Sequence, residues 1–523
     1  MPREPMTSDL DEEQLLSFLA RPQSYGDCIG PVETIETHAA RIFLAGAKAF
    51  KIKKRVKFAF LDFSSLEQRR RALQRELELN APHAPGIYIR LLPIMRNDAG
   101  NLSFYSGDTV IEYALEMNRF EQSSLLAHIA ESGPLPRPLC KDLAQMLAQY
   151  HRASPVCADL AGSTRMQSTI AQLVSGIHSA FGSTGAELPA QVCKRISSAY
   201  EKISSLLSKR GGQGAVRRCH GDLHLGNIVL LSGQPVPFDA LEFDEDLATI
   251  DVLYDMAFLL MDLDFRNDRR AANFVLNSYM DIAPIGNEIE GLAALPAFLG
   301  TRAAVRAVVA MERARQKPDC GQSNVVRFAR NYLSFANDCL GPVRPGLVAV
   351  GGLSGTGKST LAAALAPHIG SSPGALHLRS DVERKRLFGV PETCRLTSEH
   401  YTEAVSDQVY GILYGKAERA LASGHSVVLD AVASKPAERQ AIAAVAGRAG
   451  CPFAGIWLEA PLDVKINRVE ARRGDPSDAD AGVVQSQAQC NVGTMNWPSI
   501  DASQTVQQTL DDARRALARA GVL

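Results

Sequence analysis

Apolar and polar residues alternate from Glu33 to Asp62 on either side of Gly46, the period of a β-hairpin with one face turned inward. An acidic helix precedes it, over roughly Asp9 to Leu19, and a charged helix follows from Ser64 to Asn80. Two further strand-like stretches, Ile87 to Met95 and Asn101 to Tyr113, meet at the turn signal Asn97-Asp98-Ala99-Gly100. The chain therefore opens as a sheet with one inserted helix. From Gln122 to Ile289 the apolar spacing becomes mainly helical, broken by the loop-rich, strand-like region His220 to Asp246, and helices resume from Gly291 to Leu340.

Pro342, Pro345 and Gly346 then interrupt the helical pattern just before an apolar strand, Leu347 to Val350, which marks the domain boundary. Strands and helices alternate beyond it: Ser359 to Ala366, Ala375 to Leu378, Glu399 to Ala422, Ser426 to Leu429, Lys435 to Arg448, Phe453 to Leu458 and Leu462 to Arg473. Such alternation predicts an α/β domain with a mostly parallel sheet covered by helices on both faces. The division expected is an extension over 1–32, a first domain over 33–340, a linker over 341–346 and a second domain over 347–523.

Composition changes this picture little. At 523 residues the chain is too long for one core, and its 46% hydrophobic and 22% charged residues are ordinary for a globular protein. A formal charge of −1 gives no broad attraction for nucleic acid or a membrane surface. The ten cysteines form no C-x-x-C pair and no zinc spacing, and the polar, acidic N-terminus lacks the pattern of a signal peptide. No long uninterrupted apolar run is present. A cytoplasmic location is the expectation.

The strongest chemical signal is Gly352-Leu353-Ser354-Gly355-Thr356-Gly357-Lys358-Ser359-Thr360, a phosphate loop between an apolar strand and an Ala/Leu-rich helix. Backbone N–H groups of Gly352, Ser354, Gly355, Thr356 and Gly357 can ring a polyphosphate, and Thr360 lies in the helix start that adds positive potential. Lys358 can reach the β/γ-phosphates and Ser359 can hold Mg²⁺. The strand Ala375 to Leu378 leads into Arg379-Ser380-Asp381, where Asp381 either orients a substrate hydroxyl, with Arg384 balancing phosphate charge, or caps a charged helix. Asp430, at the end of Ser426 to Leu429, fits a metal-holding carboxylate or a cap. Arg472 and Arg473 sit where a closing lid would bring charge to the phosphates, or where a helix C-terminus favours cations.

With GLSGTGKST, LRSDVERKRLFG, SVVLDA and RVEARRGDPSDAD, this half resembles small P-loop kinases related to gluconate kinase, chloramphenicol phosphotransferase, zeta toxins and the kinase domain of polynucleotide kinases. The resemblance implies Asp381 as base or hydroxyl-orienting residue and Arg472 and Arg473 as lid residues.

A second constellation lies upstream, in His220-Gly221-Asp222-Leu223-His224-Leu225-Gly226-Asn227 and Phe238-Asp239-Ala240-Leu241-Glu242-Phe243-Asp244. Asp222 can take a hydroxyl proton, Asn227 can bind a metal, and Asp239 can bridge Mg²⁺ to nucleotide phosphates. Such a site needs a strand lysine oriented by a helix glutamate. Lys51 with Glu76 meets that need, and Lys53 or Glu78 satisfies the same physics. HGDLHLGN and FDALEFD make Glu33 to Asn337 resemble aminoglycoside phosphotransferases and other protein-kinase-like small-molecule kinases, with a small sheet lobe and a helical lobe. The resemblance implies that Asp255 braces the catalytic loop. No G-x-G-x-x-G precedes Lys51, only Ala45-Gly46-Ala47.

The whole arrangement resembles bacterial fusions of these two domain types. It implies ATP and Mg²⁺ as cofactors and γ-phosphoryl transfer to the hydroxyl of a small molecule. The alternatives are a regulatory nucleotide sensor, in which one domain gates the other, and a kinase for protein or nucleic-acid ends; the absence of an aromatic-and-basic stripe weighs against nucleic acid.

Overall fold

The computed structural model describes residues 7–26, 30–37, 39–58, 61–157, 162–182, 187–282, 285, 288–316, 322–342 and 344–522. Its first part is a six-stranded sheet, built from Glu33–Glu36, Ala40–Ala45, Lys48–Lys53, Thr109–Asn118, Tyr88–Arg96 and Leu102–Ser103 in that spatial order. Every pairing in it is antiparallel. The turn at Gly46 joins the second and third strands, as the alternation predicts. The sequence places the later hairpin too early: the long partner of Tyr88–Arg96 is Thr109–Asn118, and only Leu102–Ser103 pairs directly after the Asn97 turn.

Alternation gives this sheet two apolar faces. On one, Leu73 of the helix Leu66–Asn80 packs with Ile87, Tyr88 and Leu115. On the other, Leu15 and Leu19 of the helix Thr7–Ala20 cover Phe43, Phe50, Ile52 and Phe104. The N-terminal helix is thus packed into the small lobe, while residues 1–6 and 27–29 of the expected extension lie outside the described residues.

A helical lobe follows, centred on Val252–Phe265, whose residues from Val252 to Leu263 are all buried. Glu288–Arg315 is long and apolar enough to cross a membrane, but 67% of its most apolar window is buried inside this lobe, as a core helix requires. The eight described cysteines are free; Cys28 and Cys320 lie outside the described residues.

The last part is a five-stranded parallel sheet in the order Leu376–Arg379, Val427–Asp430, Leu347–Gly352, Phe453–Glu459, Ser499–Asp501. Leu361, Leu365, Ala513 and Leu517 fill one face. Helices Glu403–Ala422 and Pro436–Ala449 cover the other, with Leu413 and Ile442 against Leu347 and Leu429. The charged helix after Arg379 is Ser380–Leu387, and three elements go beyond the sequence pattern: the helix Ala481–Ala488, the strand Ser499–Asp501 and the helix Val506–Arg519.

The two parts meet along the helix Arg269–Ile282. Arg269 donates to Gly370 O at 2.8 Å, Asn273 to Ala375 O at 3.0 Å, and Asp281 pairs with Arg386.

Candidate functional site

In the N-terminal module the loop after Val216–Arg218 turns sharply at Gly221, where φ is +85° and a Cβ would crowd Leu241 at 3.1 Å and Ala248 at 3.2 Å, so glycine suits the turn. Asp255 holds this loop from below, accepting from Gly221 N–H at 2.8 Å and His220 N–H at 3.3 Å. Asp262, about two turns further along the same face of the helix, accepts from Leu225 N–H at 3.0 Å. The loop is therefore fixed by two carboxylates of a single buried helix. Asn227 donates to Asp222 at both the backbone oxygen, 2.9 Å, and Oδ2, 3.0 Å, which aims the carboxylate outward; its side chain remains 41% exposed.

Lys51 and Lys53 point to the same side of their strand, as spacing by two demands. Glu76 receives both: Lys51 Nζ at 2.7 Å and Lys53 Nζ at 2.8 Å. Glu78 is elsewhere, on the exposed face beside Gln74 and Arg75. Lys51 also reaches Asp239 at 2.6 Å, and Lys53 reaches Glu242 at 2.6 Å. Burial alone would raise the Asp239 carboxyl, but Lys51 and Lys53 hold it well below the usual carboxylate range. The same carboxylates keep the buried Lys51 ammonium above its ordinary value despite desolvation.

Two residues that the sequence reading passes over fix Asp239 in space. Its backbone has φ +60°, uncommon for a residue with a side chain. Tyr88 OH accepts from Asp239 N–H at 3.0 Å and Asn80 Oδ1 from Ala240 N–H at 2.9 Å. Both come from distant strands and helices, so no local motif signals them.

In the C-terminal module Ser354, Lys358, Ser359, Thr360, Asp381, Arg384, Asp430 and Arg472 line one cavity of about 930 Å³. Gly355 has φ +83°, and a Cβ there would lie 2.5 Å from Lys465 O, so the loop closes only with glycine. Lys358 Nζ folds back to Leu353 O at 3.1 Å, and Thr356 Oγ1 donates to the same oxygen at 2.8 Å. Gln487, another residue the sequence does not single out, covers the loop by accepting from Ser354 N–H at 2.8 Å.

Asp381 opens the helix Ser380–Leu387 and faces the cavity. Burial raises its carboxyl, and neighbouring Asp430 adds to this against the pull of Lys358. Asp430 goes the other way. Burial would raise it, but His377, 3.5 Å away, Arg379, 3.7 Å away, and Lys358 bring it down to about 2. Two carboxylates in one cavity thus have divergent proton affinities.

Arg384 is buried over the Tyr401 ring and donates to His400 O at 2.8 Å. Gly352, Gly355, Thr356 and Arg473 do not line the cavity; Arg473 turns back to Glu470 O, freed at the end of the helix Leu462–Glu470, and to Arg472 O.

Two family models match parts of this chain, and several known proteins are similar to it. Residues 102–288 match the Phosphotransferase enzyme family model, and residues 347–490 match an AAA domain model. Among solved structures, the GDP complex of wild-type aminoglycoside 2'-phosphotransferase-IIIa has TM-score 0.39 at 13% identity, covering 62% of this chain and 98% of that one. A gluconokinase from Sinorhizobium meliloti 1021 has TM-score 0.25 at 24% identity, covering 34% of this chain and 93% of that one. The class is a kinase-type phosphotransferase with an aminoglycoside-phosphotransferase-like domain followed by a P-loop kinase-like domain. Uncharacterized protein Rv2004c of Mycobacterium tuberculosis (strain ATCC 25618 / H37Rv) is 31% identical over 484 residues, 87% of this chain and 89% of that protein, and this chain belongs to its family.

Proposed function

We propose that the protein is a bifunctional ATP-dependent kinase that transfers the γ-phosphoryl of ATP to hydroxyl groups of small molecules, with one site in each module and the division at 341–346. In each reaction the acceptor oxygen forms a bond to Pγ as the bond from Pγ to the ADP oxygen breaks, and the hydroxyl proton passes to a carboxylate. Asp222 takes that proton in the first site and Asp381 in the second. The raised proton affinity of Asp381 suits a base that must accept a proton near neutral pH. Arg384 and Arg472 supply positive charge to the transferring group.

The donor sets suit magnesium. Asn227 with Asp239, and Ser359 with Asp430, offer only hard oxygen ligands. When bound, Mg²⁺ would neutralise charge on the β- and γ-phosphates. A cytoplasmic setting, where ATP is supplied, fits the free thiols of the eight described cysteines.

The observation that carries the reading is the placement of Lys358, Asp381 and Asp430 around one cavity, with a phosphate loop as its floor. The test is turnover of γ-labelled ATP by the full chain against sugars, amino sugars, nucleosides and antibiotics. Lys358→Ala should abolish one set of products, because losing a transition-state charge contact costs on the order of 3 kcal/mol, roughly a hundredfold in rate. Asp222→Ala should abolish the other set. Full labelling by the double variant would overturn the proposal.

A further inference from the structure

The strand Leu376–Arg379 lies at the edge of the parallel sheet. Leu376 N–H donates inward to Ser426 O at 2.9 Å, and Ala375 N–H donates to Ala366 O at 2.8 Å, so strand geometry leaves Ala375 O and His377 N–H turned outward, toward the helix Arg269–Ile282. A further parallel strand would fill that edge with one residue that donates to Ala375 O and accepts from His377 N–H.

The side-chain amide of Asn277 makes both bonds. Its Nδ2 donates to Ala375 O at 3.2 Å, and its Oδ1 accepts from His377 N–H at 2.7 Å. Asn273, one turn earlier, donates to the same carbonyl at 3.0 Å, and its Oδ1 accepts from Asn277 Nδ2 at 3.1 Å. Asn273 and Asn277 are 3% and 9% exposed, so water does not compete for these groups. An amide from the N-terminal module thus stands in for the missing strand of the C-terminal sheet.

The strand held in this way leads into the second site. His377 Nε2 lies 3.5 Å from Asp430, Arg379 Nε lies 3.7 Å from the same carboxylate, and Asp381 follows two residues later. A four-residue edge strand with free outward groups can fray or slide, and a shift of about 1 Å at reacting groups costs on the order of a hundredfold in rate.

We propose that Asn277 is a positioning residue for the C-terminal phosphoryl-transfer site: by completing the edge strand from the other module, it sets His377, Arg379 and Asp381 against Asp430. The proposal rests on the reading of that site as a kinase. It also means that the second site is completed by the first module.

The experiment uses the full chain carrying Asp222→Ala and Asp239→Ala, so that turnover and Mg-ATP binding are read at the C-terminal site. Amide exchange over 375–379, Mg-ATP affinity and kcat are measured for Asn277→Ala, Asn277→Asp and Asn273→Ala. Asn277→Ala should speed exchange at His377 and lower kcat about tenfold, with ATP affinity unchanged because the phosphate loop is untouched. Asn277→Asp, which keeps the oxygen that accepts from His377 N–H, should hold a higher kcat and serves if the alanine variant does not fold. Asn273→Ala leaves that bond in place and should stay within about twofold of the parent. A parent-like kcat for Asn277→Ala, or an equal fall in Asn273→Ala, would overturn the positioning role. Absence of C-terminal turnover in the parent would instead remove the kinase reading and this proposal with it, and exchange at His377 would still show whether Asn277 holds the strand.

Discussion

Lys51 and Asp239 lie 188 residues apart in the sequence and meet in an ion pair of 2.6 Å. The lysine suited to nucleotide phosphates is therefore joined directly to the carboxylate suited to the metal, and both are set by residues from other parts of the chain. Asp239→Ala should weaken Mg-ATP binding at the N-terminal site by about tenfold or more, whereas Asp222→Ala should spare binding and remove transfer. Titration of Mg-ATP into full chains that also carry Lys358→Ala checks both. Equal affinity losses in the two variants would refute the division of roles.

Asp381→Asn should separate chemistry from binding in the other cavity. The amide keeps the shape of the side chain but takes no proton, so ATP affinity should stay near that of the parent while transfer falls about a hundredfold or more. Parallel loss of affinity and rate would place Asp381 at the metal.

Glu76 supports stability as well as the site. It is fully buried and is shared by Lys51 and Lys53, themselves 7% and 4% exposed. Glu76→Ala leaves each lysine one partner short in a dry environment and should cost about 3 kcal/mol of stability to unfolding. Denaturant unfolding of the small lobe measures this, and a midpoint unchanged from the parent would contradict it.

Glu288 gives stability a pH dependence. It is 6% exposed, its Oε1 has no hydrogen-bond partner among the described residues, and burial pushes its carboxyl from an ordinary 4.5 up to about 7, only partly offset by Arg210. Between those two values the folded chain keeps a proton that the unfolded chain has released. Stability therefore falls as pH rises through that window, by at most about 3 kcal/mol. Glu288→Gln should melt close to the parent at pH 5 and above it at pH 8. A constant difference between the two proteins across that range would show that Glu288 does not titrate there.

Local pattern carried much of both sites into view. The proposed phosphate loop is nine consecutive residues, Gly352 to Thr360, and Asp222, Asn227 and Asp239 sit in the loops on either side of one short hairpin. Their spacing along the chain is their spacing in the site. Lys51 and Lys53 were legible as a pair because residues two apart on a strand share a face, but the choice between Glu76 and Glu78 depends on which face of a helix packs inward. The structure turns Glu76 to the sheet and Glu78 to solvent.

Sequence by itself determined the Gly46 hairpin, the alternation of strands and helices from Leu347 to Glu470 and the consecutive residues of the two proposed loops, because hydrophobic period and glycine geometry act between near neighbours. Only the tertiary structure decided that Tyr88 and Asn80 hold Asp239, that Gln487 covers the phosphate loop, that Arg473 turns away from the cavity, and that Asn277 closes the edge of the other module's sheet. Those relations are single hydrogen bonds between residues far apart in the chain, and a lone asparagine or tyrosine carries no periodic signal of the partner that packing will bring to it.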